Sequence, residues 1–278
     1  MRRVSINNQS LPAVGMGTWH LGRSPMAERS EIAALKTGLD AGLRVIDTAE
    51  MYGRGRSEEL VGKVIAGRRE DAYLTSKVFP WKANRFFIEK ACHGSLRRLG
   101  TDYLDLYLLH WRGIVPLGEA IWSLERLRTE GKIRHWGVSN FDIRDMDDVL
   151  HLPVGSQCVV DQIYYSPQAR GAEYTLFDWF RENGVTAMGY SPLGGKKHSL
   201  LNHPVINEIA RDRNVSPATI LIAWSIRGGN VLTIPQTSSW QHMYENIAAL
   251  EFTLRDYELK KIDAAFPSPT KKIKLQTL

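Results

Sequence analysis

Short apolar runs alternate along the chain with segments whose apolar positions recur at helical spacing. Val45-Ile46 precedes the helical pattern Glu58 to Ile65, Ala72-Tyr73-Leu74 precedes Phe86 to Leu96, and Leu104 to Leu109 precedes Ala120 to Leu127. The alternation continues through Ile133 to Val138, Val159 to Tyr164, Val185 to Tyr190 and Val231 to Ile234. With Leu11 to Gly17 as the first, this gives about eight strands. Parallel neighbours need a crossover connection, usually a helix, so unbroken strand–helix alternation predicts a parallel sheet. Eight such units in 278 residues match a closed (β/α)8 TIM barrel.

The helix ends fit this pattern. Ser57, followed by Glu58 and Glu59, is expected to cap one helix, and Ser216-Pro217 places an N-cap before a first-turn proline. Gly100, Gly131 and Gly184 each end a helical pattern, where a left-handed residue is favoured. The competing architecture, an open doubly wound sheet, needs a glycine-rich phosphate loop after its first strand. Gly53-Arg54-Gly55-Arg56-Ser57-Glu58 begins like that loop, but it follows the second strand and has Glu in the sixth place. Gly15-Met16-Gly17 reads as a tight strand end. No Pro/Ser/Gly-rich linker divides the chain, so residues 1–278 are expected to form one α/β domain.

Hydrophobic residues make up 43% of the chain and charged residues 24%, a balance that predicts a packed core. The net charge of +6 comes from scattered basic residues without a long run, so no nucleic-acid partner is expected. The longest unbroken apolar run, Ile220 to Trp224, is far short of a bilayer span, and Met1-Arg2-Arg3 is followed by no apolar stretch of signal-peptide type. Cys92 and Cys158 are the only cysteines, which agrees with a reducing compartment; the expected location is the cytoplasm. His198 and His203 lack the cysteine or H-E-x-x-H context of a metal site, so no metal is expected.

Candidate chemistry gathers at strand ends. Asp47, Lys77 and His110 each close an apolar strand, 30 and 33 residues apart, about one strand–helix unit each. In a closed barrel they converge on the carboxyl-terminal mouth, where barrel enzymes place their chemistry. Tyr52 lies in the loop just above Asp47 and can join them. A phenol has an ordinary pKa of about 10, and a neighbouring ammonium lowers it by favouring the phenolate. Lys77 can supply that ammonium, Asp47 can hold it, and the His110 imidazole can polarise a carbonyl. Together they form carbonyl-reduction machinery, given a hydride source.

These residues carry a resemblance. Gly17-Thr18-Trp19, Ile46-Asp47-Thr48-Ala49 with Tyr52-Gly53, Ser76-Lys77, Leu104 to Trp111, Gly131 to Arg134 with Gly137 to Phe141, Tyr190 to Leu193 and Ile234-Pro235 occur in order along almost the whole chain. The chain resembles the aldo-keto reductase family, and Leu11-Pro12-Ala13-Val14-Gly15 makes it similar to the bacterial methylglyoxal- and diketogulonate-reducing branch. The resemblance implies a barrel that binds nicotinamide dinucleotide without a Rossmann loop. Tyr52 would be the proton donor, supported by Asp47, Lys77 and His110. Ser139, Asn140 and Gln162 would hold the carboxamide and Tyr190 would stack on the nicotinamide ring. Ser191 and Leu193 would follow the pyrophosphate, while Glu245 and Asn246 would reach the adenine.

Three departures bear on the cofactor and its pocket. Asp161 stands where the family often has Asn. Gln236 and His242 stand where it usually has Lys and Arg beside the adenosine phosphate. Thr237 and Ser238 can still donate hydrogen bonds there, His242 adds charge only when protonated, and Lys196 and Lys197 add a diffuse attraction. The expectation is a modest preference for NADPH with NADH also used.

Trp19, Trp81 and Trp111 follow strand ends and are expected to wall the substrate pocket. A short connection after Trp111 and a short tail after Phe266 predict an open mouth. The expected activity is NAD(P)H-dependent reduction of aldehydes and activated ketones, such as α-oxoaldehydes, with a small-molecule carbonyl as the only partner; a monomer satisfies this. One rival is a redox-sensing subunit that binds the same cofactor, which predicts a broken tetrad or an interaction appendage. Another is a hydrolase pairing Asp47 with Asp105, which sits inside its strand and not at the end.

Overall fold

The chain begins with a hairpin that the hydrophobic pattern does not reveal. β1 (Arg3–Ile6) pairs antiparallel with β2 (Gln9–Pro12), and Asn7 and Asn8 turn the chain at φ 44° and 65°. Two successive left-handed residues suit a tight hairpin, and asparagine tolerates them. The expected first strand, Leu11 to Gly17, is therefore two elements: Leu11 and Pro12 end the hairpin, and the barrel strand is only Met16–Gly17. The computed structural model describes residues 1–195 and 199–278.

The barrel strands are β3 (Met16–Gly17), β4 (Val45–Asp47), β5 (Tyr73–Val78), β6 (Leu104–Leu109), β7 (Ile133–Ser139), β8 (Cys158–Tyr164), β9 (Thr186–Tyr190) and β10 (Val231–Ile234), all parallel and in chain order. Closure joins β10 to the first strand through Gly15 N to Thr233 O at 2.7 Å, Thr233 N to Ala13 O at 2.8 Å and Gly17 N to Pro235 O at 3.0 Å. Gly17 is required at this seam, because a Cβ there would lie 2.7 Å from the Ile234 carbonyl oxygen. Helices cover the outside: α1 (Glu28–Asp40), α2 (Arg56–Ile65), α3 (Ile88–Leu99), α4 (Leu117–Thr129), α5 (Ile143–Leu150), α6 (Leu176–Asn183), α7 (Pro204–Asp212), α8 (Pro217–Ser225), α9 (Trp240–Ala248) and α10 (Asp256–Ala265). No helix among the described residues is long and apolar enough to cross a membrane.

Most of the expected helix ends hold. Ser216 accepts from Thr219 N at 3.1 Å with Pro217 in the first turn, and Gly100, Gly131 and Gly184 take φ of 65°, 72° and 67°. Ser57 is the exception. Gly55, at φ 92°, precedes α2, and the buried Ser57 hydroxyl instead faces the carbonyls of Leu21 at 2.6 Å and Thr18 at 3.0 Å. Ser57 thus ties α2 to the loop beyond β3.

Two-residue periodicity sorts the strand side chains into layers. Val45, Tyr73, Leu106, Leu108, Val160, Met188 and Leu232 fill the lower barrel together with Val4, Ile6 and Leu11 of the hairpin, which plugs the amino-terminal end. Continuing each strand by even steps brings Asp47, Lys77, His110, Gln162 and Tyr190 to the upper layer, on the same inward face. Polar chemistry therefore sits on an apolar floor, at the carboxyl-terminal mouth.

Candidate active site

Tyr52 begins a three-ten turn, Tyr52–Gly55, in the loop that follows β4. Gly53, Arg54 and Gly55 have φ of 57°, 59° and 92°, so the glycines that mimic a phosphate loop serve a left-handed turn that lowers the phenol into the barrel. Fully buried Lys77 donates to Asp47 Oδ1 at 2.8 Å, Asp47 Oδ2 at 2.7 Å, Thr48 O at 2.9 Å and the Tyr52 hydroxyl at 3.1 Å. The His110 ring meets the Tyr52 ring edge-on, with centroids 5.9 Å apart. The four expected residues are thus one cluster.

Its electrostatics differ in one respect from the expectation. Burial, then the Asp47 charge, push the Tyr52 phenol well above its ordinary value, opposite to the lowering expected from Lys77. The result is a phenol that keeps its proton through the neutral range. Burial, reinforced by the Lys77 charge, holds His110 well below the usual imidazole range, so its ring is neutral and retains one N–H and one acceptor nitrogen. Burial raises the Asp47 carboxyl and lowers the Lys77 ammonium, while each opposes the shift in the other.

A cavity of about 220 Å³ opens above the cluster. Asp47, Tyr52, His110, Ser139, Asn140, Gln162, Tyr190, Ser191, Leu193, Gln236, Trp19 and Trp111 line it, and Lys77 lies behind Tyr52. Ser139 donates to Gln162 O at 2.8 Å, Asn140 Nδ2 donates to Ser139 Oγ at 3.1 Å and to His110 O at 3.3 Å, and Tyr190 donates to Asn140 Oδ1 at 2.8 Å. Asn140 and Ser191 take left-handed φ of 61° and 52°. Such backbone conformations in residues other than glycine persist where the surroundings over-determine them, and they cluster at functional sites. The amide and hydroxyl groups, with the broad Tyr190 ring beside them, fit a planar carboxamide-bearing ring.

Gln162 has a second task that the sequence does not signal: its Nε2 donates to Asp47 Oδ1 at 2.7 Å, so it also braces the tetrad carboxylate. Gln236 turns toward the loop after β3, its Oε1 accepting from His20 N at 2.8 Å. Thr237 accepts from Ser239 N at 3.0 Å, which engages it in the turn before α9, while Ser238 and His242 are exposed there. Glu245 is half-buried and Asn246 buried on α9. Thr237, Ser238, His242, Glu245 and Asn246 continue outward from Gln236 and do not line the cavity itself. Lys196, Lys197 and His198 lie outside the described residues.

Three expectations need correction. Trp81 does not line the cavity: it is 52% exposed, stacked on Phe79 at 4.5 Å and edge-on to Trp111 at 5.9 Å, and so buttresses the wall from outside. The tail after Phe266 does not leave the mouth open, because Leu275 is buried in the core and Leu278 lines the cavity. Asp161 is not among the residues that line the cavity; among the described residues its Oδ1 receives a 3.5 Å bond from Phe141 N, and burial pushes its carboxyl well above the ordinary range. A carboxyl with its proton affinity raised by burial thus stands there in place of an amide. Asp105 is also remote from Asp47, since it accepts from Leu74 N at 2.8 Å and Arg69 at 2.7 Å toward the other end of the barrel. That removes the paired-carboxylate hydrolase.

Comparison with known proteins agrees with this geometry. The sequence pattern of the aldo/keto reductase family matches residues 13–266. The chain is 45% identical to the methylglyoxal reductase YeaE of Escherichia coli (strain K12), over 96% of this chain and 95% of that one. It is 33% identical to a glyoxal reductase of Bacillus subtilis (strain 168), over 93% and 90%. A crystal structure of an aldo/keto reductase from Klebsiella pneumoniae in complex with NADP and acetate matches with a TM-score of 0.97 at 43% identity, covering 100% of this chain and 99% of that one. With its barrel, its Tyr52–Lys77–Asp47–His110 cluster and this similarity over nearly the whole length, the chain belongs to the aldo/keto reductase family and is an NAD(P)H-dependent oxidoreductase.

Proposed function

We propose that the protein reduces small α-oxoaldehydes such as methylglyoxal to hydroxy-carbonyl products, with Tyr52 as the proton donor. The observation that carries this reading is the 3.1 Å contact between the Lys77 ammonium and a buried, protonated Tyr52 phenol at the floor of a small cavity. NADPH, when bound, supplies the hydride that adds to the substrate's carbonyl carbon. The neutral His110 imidazole donates its N–H to the carbonyl oxygen and orients it. As charge develops on that oxygen, Tyr52 delivers its proton, and the nearby ammonium stabilises the phenolate left behind. Ser139, Asn140 and Gln162 would hold the carboxamide, Tyr190 would support the ring, and Ser191 and Leu193 would lie along the pyrophosphate; all six line the cavity. Trp19, Trp111 and Leu278 limit the room beside the reacting carbon, which favours small substrates. All these groups come from one chain, read as one domain over residues 1–278, so a cytoplasmic monomer suffices. Steady-state NADPH oxidation with methylglyoxal tests the reading; absence of turnover with it and with a panel of small aldehydes would refute it.

Cofactor preference is the sharper expectation. A charge-assisted hydrogen bond contributes about 1.5–3 kcal/mol, so loss of one cation at the adenosine phosphate lowers discrimination by roughly 10- to 150-fold. Gln236 is neutral and bonded to the His20 amide, which leaves the Thr237 and Ser238 hydroxyls and the N-terminus of α9, where Ser239 accepts from His242 N at 3.4 Å, as groups that would favour the phosphate. NADPH is therefore expected to be preferred with NADH turnover still measurable. The comparison is kcat/KM for both cofactors; a preference above about a thousandfold would mean that other cations replace the missing ones.

A further inference from the structure

The segment that carries Tyr52 is fastened to the strand that carries Lys77 by two carboxylates outside the tetrad. Glu58, in the first turn of α2, is fully buried, and its Oε1 accepts from Ser76 Oγ at 2.6 Å while its Oε2 accepts from Arg98 Nε of α3 at 2.6 Å. Ser76 adjoins Lys77 and points to the opposite face of β5. Glu50, two residues before Tyr52, accepts from Phe79 N at 2.9 Å and pairs with Lys82 at 2.6 Å. Residues on both sides of Tyr52 thus hold the chain on both sides of Lys77, Glu58 at Ser76 within β5 and Glu50 at Phe79 just beyond its end. The turn between the two grips contains three consecutive left-handed residues, one of them Arg54, a conformation held only by its surroundings. A buried ion pair is a poor way to gain stability, since apolar residues of the same volume often serve as well or better. Its value here is geometric.

We infer that Glu58 is a positioning residue for proton transfer: bound to Ser76 and Arg98, it holds the Tyr52 turn and β5 in the register that brings the Lys77 ammonium to the Tyr52 hydroxyl. The inference rests on Tyr52 being the proton donor. Glu58→Gln keeps the size of the side chain but presents an amide where two donors now converge on a carboxylate. A displacement of the order of 1 Å at reacting groups costs up to about 100-fold in rate. The expected result is a kcat reduced about 10- to 100-fold, a KM changed by less than about twofold, and a larger solvent deuterium isotope effect on kcat as proton transfer becomes limiting.

A merely structural role would lower stability alone, as expected for Asp105→Asn, which breaks the Arg69 pair elsewhere on the same sheet. Unchanged kcat and isotope effect in folded Glu58→Gln would overturn the inference. Should that variant fail to fold, Ser76→Ala removes only the hydroxyl link, and the same two readouts decide. Tyr52→Phe is measured beside them: if it turns over, the proton-donor reading falls, whereas an inactive Tyr52→Phe with an unaffected Glu58→Gln overturns the positioning role alone.

Discussion

Tyr52→Phe is expected to lower kcat for carbonyl reduction by about 10²- to 10⁴-fold, the usual contribution of a positioned general acid. The substitution removes one oxygen whose partner is Lys77 at 3.1 Å and leaves the ring against His110, so the cavity keeps its shape. Cofactor affinity, read by quenching of tryptophan fluorescence, should change little. The wild-type enzyme supplies a second check through pH. Burial and the Asp47 charge keep the phenol protonated well past its ordinary range, and His110 is already neutral below it. Neither group should therefore impose a break on reduction across the neutral range, while alcohol oxidation, which needs the phenolate as proton acceptor, should rise with pH. A variant that keeps more than about a tenth of wild-type turnover removes Tyr52 from the proton-transfer step.

Much of this site is legible in the sequence because strand alternation is rigid. Val45 and Asp47, Leu108 and His110, Val160 and Gln162, and Met188 and Tyr190 are each two residues apart, so an apolar residue inside the barrel guarantees that the polar one above it faces the same axis. Residues that act through tertiary contacts leave no such trace. Ser57 and Glu58 look like ordinary first-turn helix residues, and only the approach of α2 to β5 and α3 shows that one reaches the Thr18 loop and the other Ser76 and Arg98. The hairpin at Asn7-Asn8 was hidden because its strands are short and Leu11 merges into the next apolar run. Leu278 reaches the mouth only because the tail folds back with Leu275 buried, a path that segment length does not encode.

Lys77→Met should abolish activity and also destabilise the fold, with a characteristic dependence on pH. The Lys77 side chain is wholly buried and supplies two of the bonds to the Asp47 carboxylate; without it, among the described residues, Gln162 Nε2 at 2.7 Å remains. Removing one partner of a buried pair typically costs about 3–5 kcal/mol, because a charge is left without compensation. Burial already raises the Asp47 carboxyl, and Lys77 is the charge that opposes it, so in the variant the carboxyl moves further up and takes a proton in the folded state. The folded protein then binds more protons than the unfolded chain at every pH between the ordinary aspartate value and the raised one. Its stability falls as pH rises across that window, and the deficit relative to wild type is smaller near pH 5 than near pH 8. Urea unfolding at both values measures this. Asp47→Asn combined with Lys77→Met removes the uncompensated charge and is expected to recover part of the stability near pH 8 without recovering turnover. An equal deficit at both pH values, or no recovery in the double variant, would show that Asp47 and Lys77 do not act as a buried ion pair.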